Sequence, residues 1–363
     1  MALKRLNIQW LRNLRSVDIS PSDRVNLIYG VNGSGKTSVL EAITVLGQGR
    51  SFRSHKLKPL IHREQEGFTV FGRILDQERE LPVGVAREKS GGSQIRVDGQ
   101  TVSSASALAQ HLPLQIINAQ TFQLLEGTSK VRRQFIDWLV FHVEPGFLPA
   151  WKGLQRCLKH RNSLLRRDRI STAELASWDR ELVILAEAIH GYRERSLKPF
   201  FAMFERLAAD FGAIEGLEVR YFRGWDKDRS YAELLADAVE RDQARGYTQS
   251  GAQRADLRIT VHGQNAAEIL SRGQQKLVVC AMHIAQGYVF GELSGRQCTY
   301  LLDDLPAELD RKYRQQLADW LDAMGSQVFV TGIDKEVLID TWGKHQHTEQ
   351  KVFHVEHGQV TAD

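Results

Sequence analysis

The residues best suited to chemistry lie together near the start of the chain. Gly30-Val31-Asn32-Gly33-Ser34-Gly35-Lys36-Thr37 satisfies G-x-x-x-x-G-K-[ST] at every fixed position, the pattern of a loop that cradles phosphates. Gly30, Gly33 and Gly35 let the backbone take positive φ and approach an anion closely, so that successive N–H groups point at negative charge. Lys36 suits β- and γ-phosphates, and the Thr37 hydroxyl suits Mg²⁺. Asn32, Ser34 and Ser38 complete the stretch expected to touch the nucleotide. The alternative, a glycine-rich turn with a surface lysine, needs no particular surroundings. Here Val25 to Tyr29 reads as a buried strand and Thr37 to Leu46 as a helix with Val39, Leu40, Ile43 and Leu46 apolar, which is the context the chemistry requires.

A second carboxylate must orient the metal, and it normally comes from the end of a neighbouring apolar strand. Thr299-Tyr300-Leu301-Leu302 ends in Asp303-Asp304. Asp303 is the expected metal ligand beside Thr37, and Asp304 the group that polarises the attacking water. Gln120, after the strand Leu114 to Asn118, is expected to help position that water or the metal. The same acids, followed by Leu305-Pro306, also suit a helix N-cap. A further anion-binding pattern, Ser271-x-Gly273-Gln274, opens an apolar helix from Leu277 to Phe290 and by itself passes for an N-cap serine.

These pieces need a scaffold of strands and helices, and 363 residues with 42% hydrophobic and 25% charged side chains can build one with two lobes. Three cysteines far apart, with no C-x-x-C, suggest neither a zinc site nor a disulfide framework and suit a reducing cytoplasm. The N-terminus shows no signal-peptide core and no 18-residue apolar run occurs, so neither export nor a membrane span is expected. Alternating segments at Leu3 to Leu11 and around Val17 to Ile19 read as strands, as do Phe68 to Ile74, Leu81 to Ala86, Gln94 to Val97 and Thr101-Val102, the last two joined by an Asp98-Gly99 hairpin turn.

Near Gly127 the pattern becomes helical and stays so to about Gly212, punctuated by Pro145, Pro149 and Pro199. Trp151, Leu154 and Leu158 make one apolar stripe; Leu175, Trp178, Leu182, Leu185, Ile189 and Tyr192 make another, giving a short antiparallel pair. About 22 residues per helix would span roughly 33 Å, a stubby arm. On its first helix Arg156, Lys159, Arg161, Arg166, Arg167 and Arg169 face a single acid, Asp168. Such a face can track a phosphodiester backbone or be merely solvated. The loop with Arg50, Arg53, His55, Lys56 and Lys58 has the same two readings, and the net charge of +4 permits a nucleic-acid partner without requiring one. A strand at Leu217 to Phe222 and a helix from Tyr231 to Arg245 precede the return to α/β pattern, and Lys351 to Val360 reads as a closing hairpin.

With Arg12-Asn13 after the first strand and Asp304 beside Asp303, the set resembles ABC-type ATPase heads, in which the Ser-x-Gly-Gln of one subunit caps the γ-phosphate held by another. It is most similar to the RecF family of recombination-repair proteins. GVNGSGKT, GRSFRSHK, Leu124-Leu125-Glu126-Gly127 leading to Arg132-Arg133-x-Phe135-x-Asp137, QRADL, SRGQQK and DDLPAELD follow one another as in that family and cover nearly the whole chain. The resemblance implies an α/β SMC-like ATPase head: a mixed-sheet P-loop lobe from residues 1–126 and 235–363, and an inserted helical lobe, 127–234, bearing the short arm. It implies nucleotide contacts by Arg12 and Asn13, and a signature of Ser271, Gly273 and Gln274 acting in trans. Further implications are a weak, DNA-stimulated Mg²⁺-dependent ATPase, an ATP-dependent homodimer, and binding of single- and double-stranded DNA at gaps. It also implies cooperation with RecR and RecO in loading RecA, and a cytoplasmic, nucleoid-associated location.

The chain departs from the resemblance at Gln253, where histidine is expected, at Ala119-Gln120 in place of Pro-Glu, and at Thr331-Gly332-Ile333-Asp334, which lacks a switch histidine. Asp304 stands for the glutamate of many ABC enzymes and reaches one methylene less, so slow hydrolysis is expected. Two other classes compete. A DNA-end processing head would need a long coiled coil with a C-x-x-C hook, and the nucleotide-binding subunit of a transporter would lack the basic helix.

Overall fold

The structure, a computed structural model, describes every residue except His55, Leu57, Gln77, Asp168, Ile170, Phe211, Ala213 and Gln346, so His55 and Asp168 of the two basic segments lie outside the described residues. The chain forms two units, Met1–Thr121 with Cys280–Asp363, and Phe122–Val279.

The first stretch lays down β1 (Ala2–Leu11), β2 (Leu14–Ile19), β3 (Val25–Tyr29), α1 (Lys36–Gln48), β4 (Gly67–Asp76), β5 (Arg79–Glu88), β6 (Ser93–Val97), β7 (Gln100–Val102), α2 (Ala105–His111) and β8 (Leu114–Ile117). Six of these strands pair antiparallel in the order β2-β1-β4-β5-β6-β7. Alternation along them sends Phe68, Val70 and Ile74 inward while Thr69 and Arg73 face out. Both Asp98 (φ 53) and Gly99 (φ 77) take left-handed backbone, which is what a two-residue hairpin between β6 and β7 requires.

The second unit holds α3 (Gln123–Glu126), α4 (Ser129–Val143), α5 (Phe147–Leu165), α6 (Thr172–Asp210), β9 (Leu217–Phe222), α7 (Tyr231–Asp237), α8 (Val239–Arg245), β10 (Asp256–Val261), β11 (Gln264–Asn265), α9 (Ala266–Ile269) and the start of α10 (Arg272–Ser294). The expected lobe boundary after residue 234 falls inside this unit, because β10 pairs antiparallel with β9 (Leu257 opposite Tyr221) and ties 235–279 to the helices. The arm helices lie close where Gly153 of α5 faces Leu185 of α6. At 39 residues α6 is far longer than the sequence suggested, about 58 Å. It runs straight through Pro199, which forgoes one backbone hydrogen bond without ending the helix. The expected helix from Tyr231 to Arg245 is instead two, broken at Ala238.

Arg161 corrects the basic face. It falls on the stripe of Leu154, Leu158 and Leu165 at spacings of four, three and four, so it turns inward and is fully buried. Its Nε donates to Asp179 at 2.6 Å, and Nη1 donates to Asp242 at 2.7 Å and Thr248 at 2.9 Å. Two family motifs also turn out to be internal clamps: Arg132 is bidentate on Asp256, Arg133 donates to the Ala255 carbonyl, and Asp137 accepts from Nε and Nη2 of buried Arg193.

After α10 the chain returns to the first unit as β12 (Thr299–Leu302), α11 (Leu305–Glu308), α12 (Arg311–Ala323), β13 (Val328–Gly332), α13 (Lys335–Thr341), β14 (Gln350–Glu356) and β15 (Gln359–Ala362). The second sheet runs β15-β14-β3-β13-β12-β8, parallel from β14 to β8 with β15 antiparallel at its edge. Its interior strands are buried along almost their whole length because both faces are covered, and they carry few polar residues, Asn26, Thr299 and Thr331 among them. Only Thr37 and Gln48 of α1 escape burial, and Val39, Leu40, Ile43 and Leu46 share one core with Leu6, Ile8, Val70, Leu301, Phe329 and Phe353. Helix α10 is long and apolar enough to cross a membrane, yet most of it is buried, as in a core helix.

Candidate nucleotide site

The parallel register brings Tyr29 of β3 opposite Gly332 of β13, and Leu302 of β12 opposite both Val330 and Ile117. The carboxyl ends of four strands therefore share one edge, where open α/β sheets bind ligands. Beyond β3 the loop rises through Gly30 (φ 152), Gly33 (φ 81) and Gly35 (φ 126) into α1. A Cβ on Gly35 would press on Leu14 and Asn13, so the bend demands glycine. Gly35 offers no side-chain cap, which leaves the first-turn amides of α1 without side-chain acceptors. Ser34 Oγ is likewise buried without a partner. This is a cradle built for an anion.

Lys36 donates from Nζ to the carbonyls of Gly30 (2.7 Å) and Val31 (2.9 Å). Burial pulls its ammonium below the usual lysine range, opposed by Asp304 and Asp303. The Thr37 hydroxyl donates to Asp303 Oδ1 at 2.9 Å, and Thr331 at the end of β13 donates to the same oxygen at 2.9 Å. Burial raises the Asp303 pKa, while the hydrogen bonds from Thr331 and Thr37 work to lower it. Asp304 sits in left-handed backbone (φ 52), and its N–H donates to Thr331 Oγ1 at 2.7 Å. A hydroxyl and a carboxylate oxygen side by side fit a hard divalent ion, which in phosphate sites takes few protein ligands.

Asn13 and Arg12 line the site while hydrogen-bonding to other protein groups. Asn13 Nδ2 donates to the carbonyls of Gly33 (3.1 Å) and Ser34 (2.9 Å), and its Oδ1 accepts from Ser38 at 2.9 Å. Arg12 is bidentate on the fully buried Glu41 (2.9 and 3.0 Å) and donates to the Pro59 carbonyl at 3.0 Å. Arg53, expected in a DNA-contacting loop, lies 3.8 Å from Glu41 and lines the nucleotide cleft.

The cleft has a volume of about 730 Å³ and gathers Arg12, Asn13, Asn32, Gly33, Gly35, Lys36, Thr37, Ser38 and Asp304. Its far wall, Pro59, Ile61, His62, Arg63 and Glu64, escaped sequence reasoning, as did Arg15, Glu41 and Thr331. That wall is set by backbone pairing, with Arg12 N–H on the Leu60 carbonyl and His62 N–H on the Trp10 carbonyl, and no motif announces it. Thr331 could have been found as a hydroxyl ending an apolar strand. Gln120 is exposed in a short turn after β8, its N–H on Asn118 Oδ1, and does not line the cleft.

The signature residues belong to the second unit. Ser271 and Gln274 bond reciprocally, Gln274 N–H to Ser271 Oγ at 3.3 Å and Ser271 N–H to Gln274 Oε1 at 3.0 Å, so they form a capping box for α10. All of Ser271, Arg272, Gly273 and Gln274 are exposed, and Arg272 pairs with Glu126. Of the basic residues, Arg50, Lys56, Lys58 and Lys159 are exposed, while Arg156 faces Glu181 at 3.4 Å, Arg167 faces Glu174 at 3.5 Å, and Arg166 donates to the Gly246 carbonyl.

Sheet order and cleft define a class: a P-loop head of the kind found in SMC proteins. The family model described as RecF/RecN/SMC N terminal domain matches residues 2–361. The DNA replication and repair protein RecF of Cellvibrio japonicus (strain Ueda107) is 59% identical over 363 residues, 100% of both chains. That of Pseudomonas aeruginosa (strain LESB58) is 51% identical over 362 residues, 99% of this chain and 98% of the other. The chain belongs to the RecF family. Among solved structures, that of the recombination mediator protein RecF-ATP in RecFOR pathway superposes with a TM-score of 0.86 at 23% identity, covering 100% of this chain and 97% of the other. The SmcHead bound to the C-winged helix domain of ScpA gives 0.60 at 14%, covering 100% and 98%. Both share the fold.

Proposed function

We propose that the chain is an ATP-dependent DNA-binding protein of recombinational repair. The observation that carries this is the convergence of Lys36, Thr37 and Asp304 on one cleft beneath uncapped helix amides, with Asp303 held against the Thr37 hydroxyl at 2.9 Å. Relatives named for DNA replication and repair, and a fold neighbour described with ATP in the RecFOR pathway, support the same reading.

In this reading the loop amides and Lys36 hold the β- and γ-phosphates, and Thr37 and Asp303 hold Mg²⁺, which supplies charge neutralisation when bound. Asp304 accepts the hydrogen bond of the attacking water; as the water oxygen bonds to the γ-phosphorus, the bridge to the β-phosphate breaks and ADP and phosphate leave. The short reach of Asp304 keeps this step slow. A second copy brings Ser271, Gly273 and Gln274 to the γ-phosphate, so ATP joins two chains and hydrolysis releases them. Arg50, Lys56 and Lys58, with Arg156, Lys159, Arg166 and Arg167, meet the phosphodiester backbone of single- and double-stranded DNA at gaps. RecR and RecO are the expected partners, and RecA loading the outcome.

Sedimentation velocity with ATP, gapped DNA and RecR in all combinations tests the proposal. A two-copy species that forms only with ATP and gains mass with DNA and RecR is expected. Identical profiles with and without ATP would sink it.

A further inference from the structure

The closing hairpin touches the phosphate loop at two points. Gly30 passes so close to β14 that a Cβ there would collide with the Val355 carbonyl. At the turn, His357 (φ 48) and Gly358 (φ 76) are both left-handed, and the Gly358 N–H donates to the Ser34 carbonyl at 3.1 Å. A Cβ on Gly358 would strike the Asn13 carbonyl oxygen, so this close approach is open to glycine alone.

The Ser34 carbonyl thus has two donors, Asn13 Nδ2 at 2.9 Å and Gly358 N–H at 3.1 Å. In a planar trans peptide the C=O and the following N–H point in opposite directions. Drawing the Ser34 oxygen toward residues 13 and 358 therefore turns the Gly35 N–H the other way. The hairpin is itself secured: β14 pairs in register with β3, Asp363 N–H donates to the Val352 carbonyl at 3.0 Å, and Asp363 Oδ2 accepts from Tyr29 and Lys335 at 2.7 Å each.

We infer that Gly358 is a positioning residue of the nucleotide site: together with Asn13 it sets the Ser34–Gly35 peptide so that the Gly35 N–H faces a bound triphosphate. The inference rests on the proposed reading of the cleft as an ATP site.

The test uses the full chain, assembled by ligating a synthetic C-terminal peptide to the recombinant remainder, with either the natural amide or an ester at the Gly358 nitrogen. The ester deletes one donor and adds no bulk. The expected result is a KM for ATP raised roughly five- to tenfold, the worth of one hydrogen bond, with the effect concentrated in KM rather than kcat. The nucleotide-free melting temperature should stay the same while the stabilisation by ATP shrinks. Asn13→Ser, which removes the other donor to the same carbonyl, should shift KM in the same direction. Equal ATP affinity for ester and amide overturns the inference, and so does a lower melting temperature with affinity unchanged, which would mark a purely structural turn. If the natural-amide chain itself binds no ATP, the reading of the cleft fails first and this inference with it.

Discussion

Thr37 and Asp303 lie 266 positions apart in the chain and meet at 2.9 Å, hydroxyl to carboxylate, at the mouth of the central sheet. Thr331 donates to the same oxygen, so strand β13 holds the acid that α1 needs.

The first prediction follows from the burial of that acid. Its folded pKa stands above the ordinary 3.8, so the folded protein keeps the proton to higher pH than the unfolded chain does. Stability of the nucleotide-free protein should then fall as pH rises from 3.8 through the raised value. Asp303→Asn should flatten this decline and melt higher near neutral pH, while losing the extra stabilisation that ATP confers with Mg²⁺. Melting curves between about pH 4 and 8 check both halves.

Lys36→Arg should keep some nucleotide binding and lose hydrolysis by about a hundredfold or more, because a planar fork cannot take the place of a compact ammonium seated between the Gly30 and Val31 carbonyls. Phosphate release and binding of a fluorescent ATP analogue separate the two effects.

Ser271→Arg replaces the capping serine of an exposed helix start by a long cation. ATP-driven pairing of chains should vanish while the single chain still binds ATP. Were the variant to pair with ATP as the parent does, the assignment of this helix to a partner's phosphate would be wrong.

Arg161→Met should leave Asp242, itself fully buried, without its cation and cost about 3–5 kcal/mol in chemical denaturation. Its DNA affinity, measured on the folded fraction, should match the parent. Lys159→Ala should do the reverse, weakening DNA binding and flattening its salt dependence with little change in stability.

The contrast between Arg161 and Lys159 marks where sequence reading succeeds. Local signals were legible: the strand, glycine loop and helix around Lys36, the hairpin at Asp98-Gly99, and the acid pair ending β12 all announce themselves within a few residues. Charge alone puts Arg161 on the basic face, although its spacing from Leu154 and Leu158 already turns it inward. What escaped depends on partners distant in sequence: Glu41 beneath Arg12, the wall from Pro59 to Glu64, Thr331 on Asp303, and Gly358 on Ser34. Pro199 misled because a long helix packed along its length tolerates one missing hydrogen bond. Sheet order, which brings β12 and β13 beside β3, has no local signature.

All three cysteines are buried, and burial pushes the thiols of Cys157 and Cys298 up to about 11 and about 12. Thiolate, the form that reacts, is therefore scarce at neutral pH. The native chain offers a quiet background for chemical labelling. A single reporter thiol, introduced for instance by Val31→Cys at a position 67% exposed, could carry a dye or a crosslinker without first stripping the protein of its own sulfur.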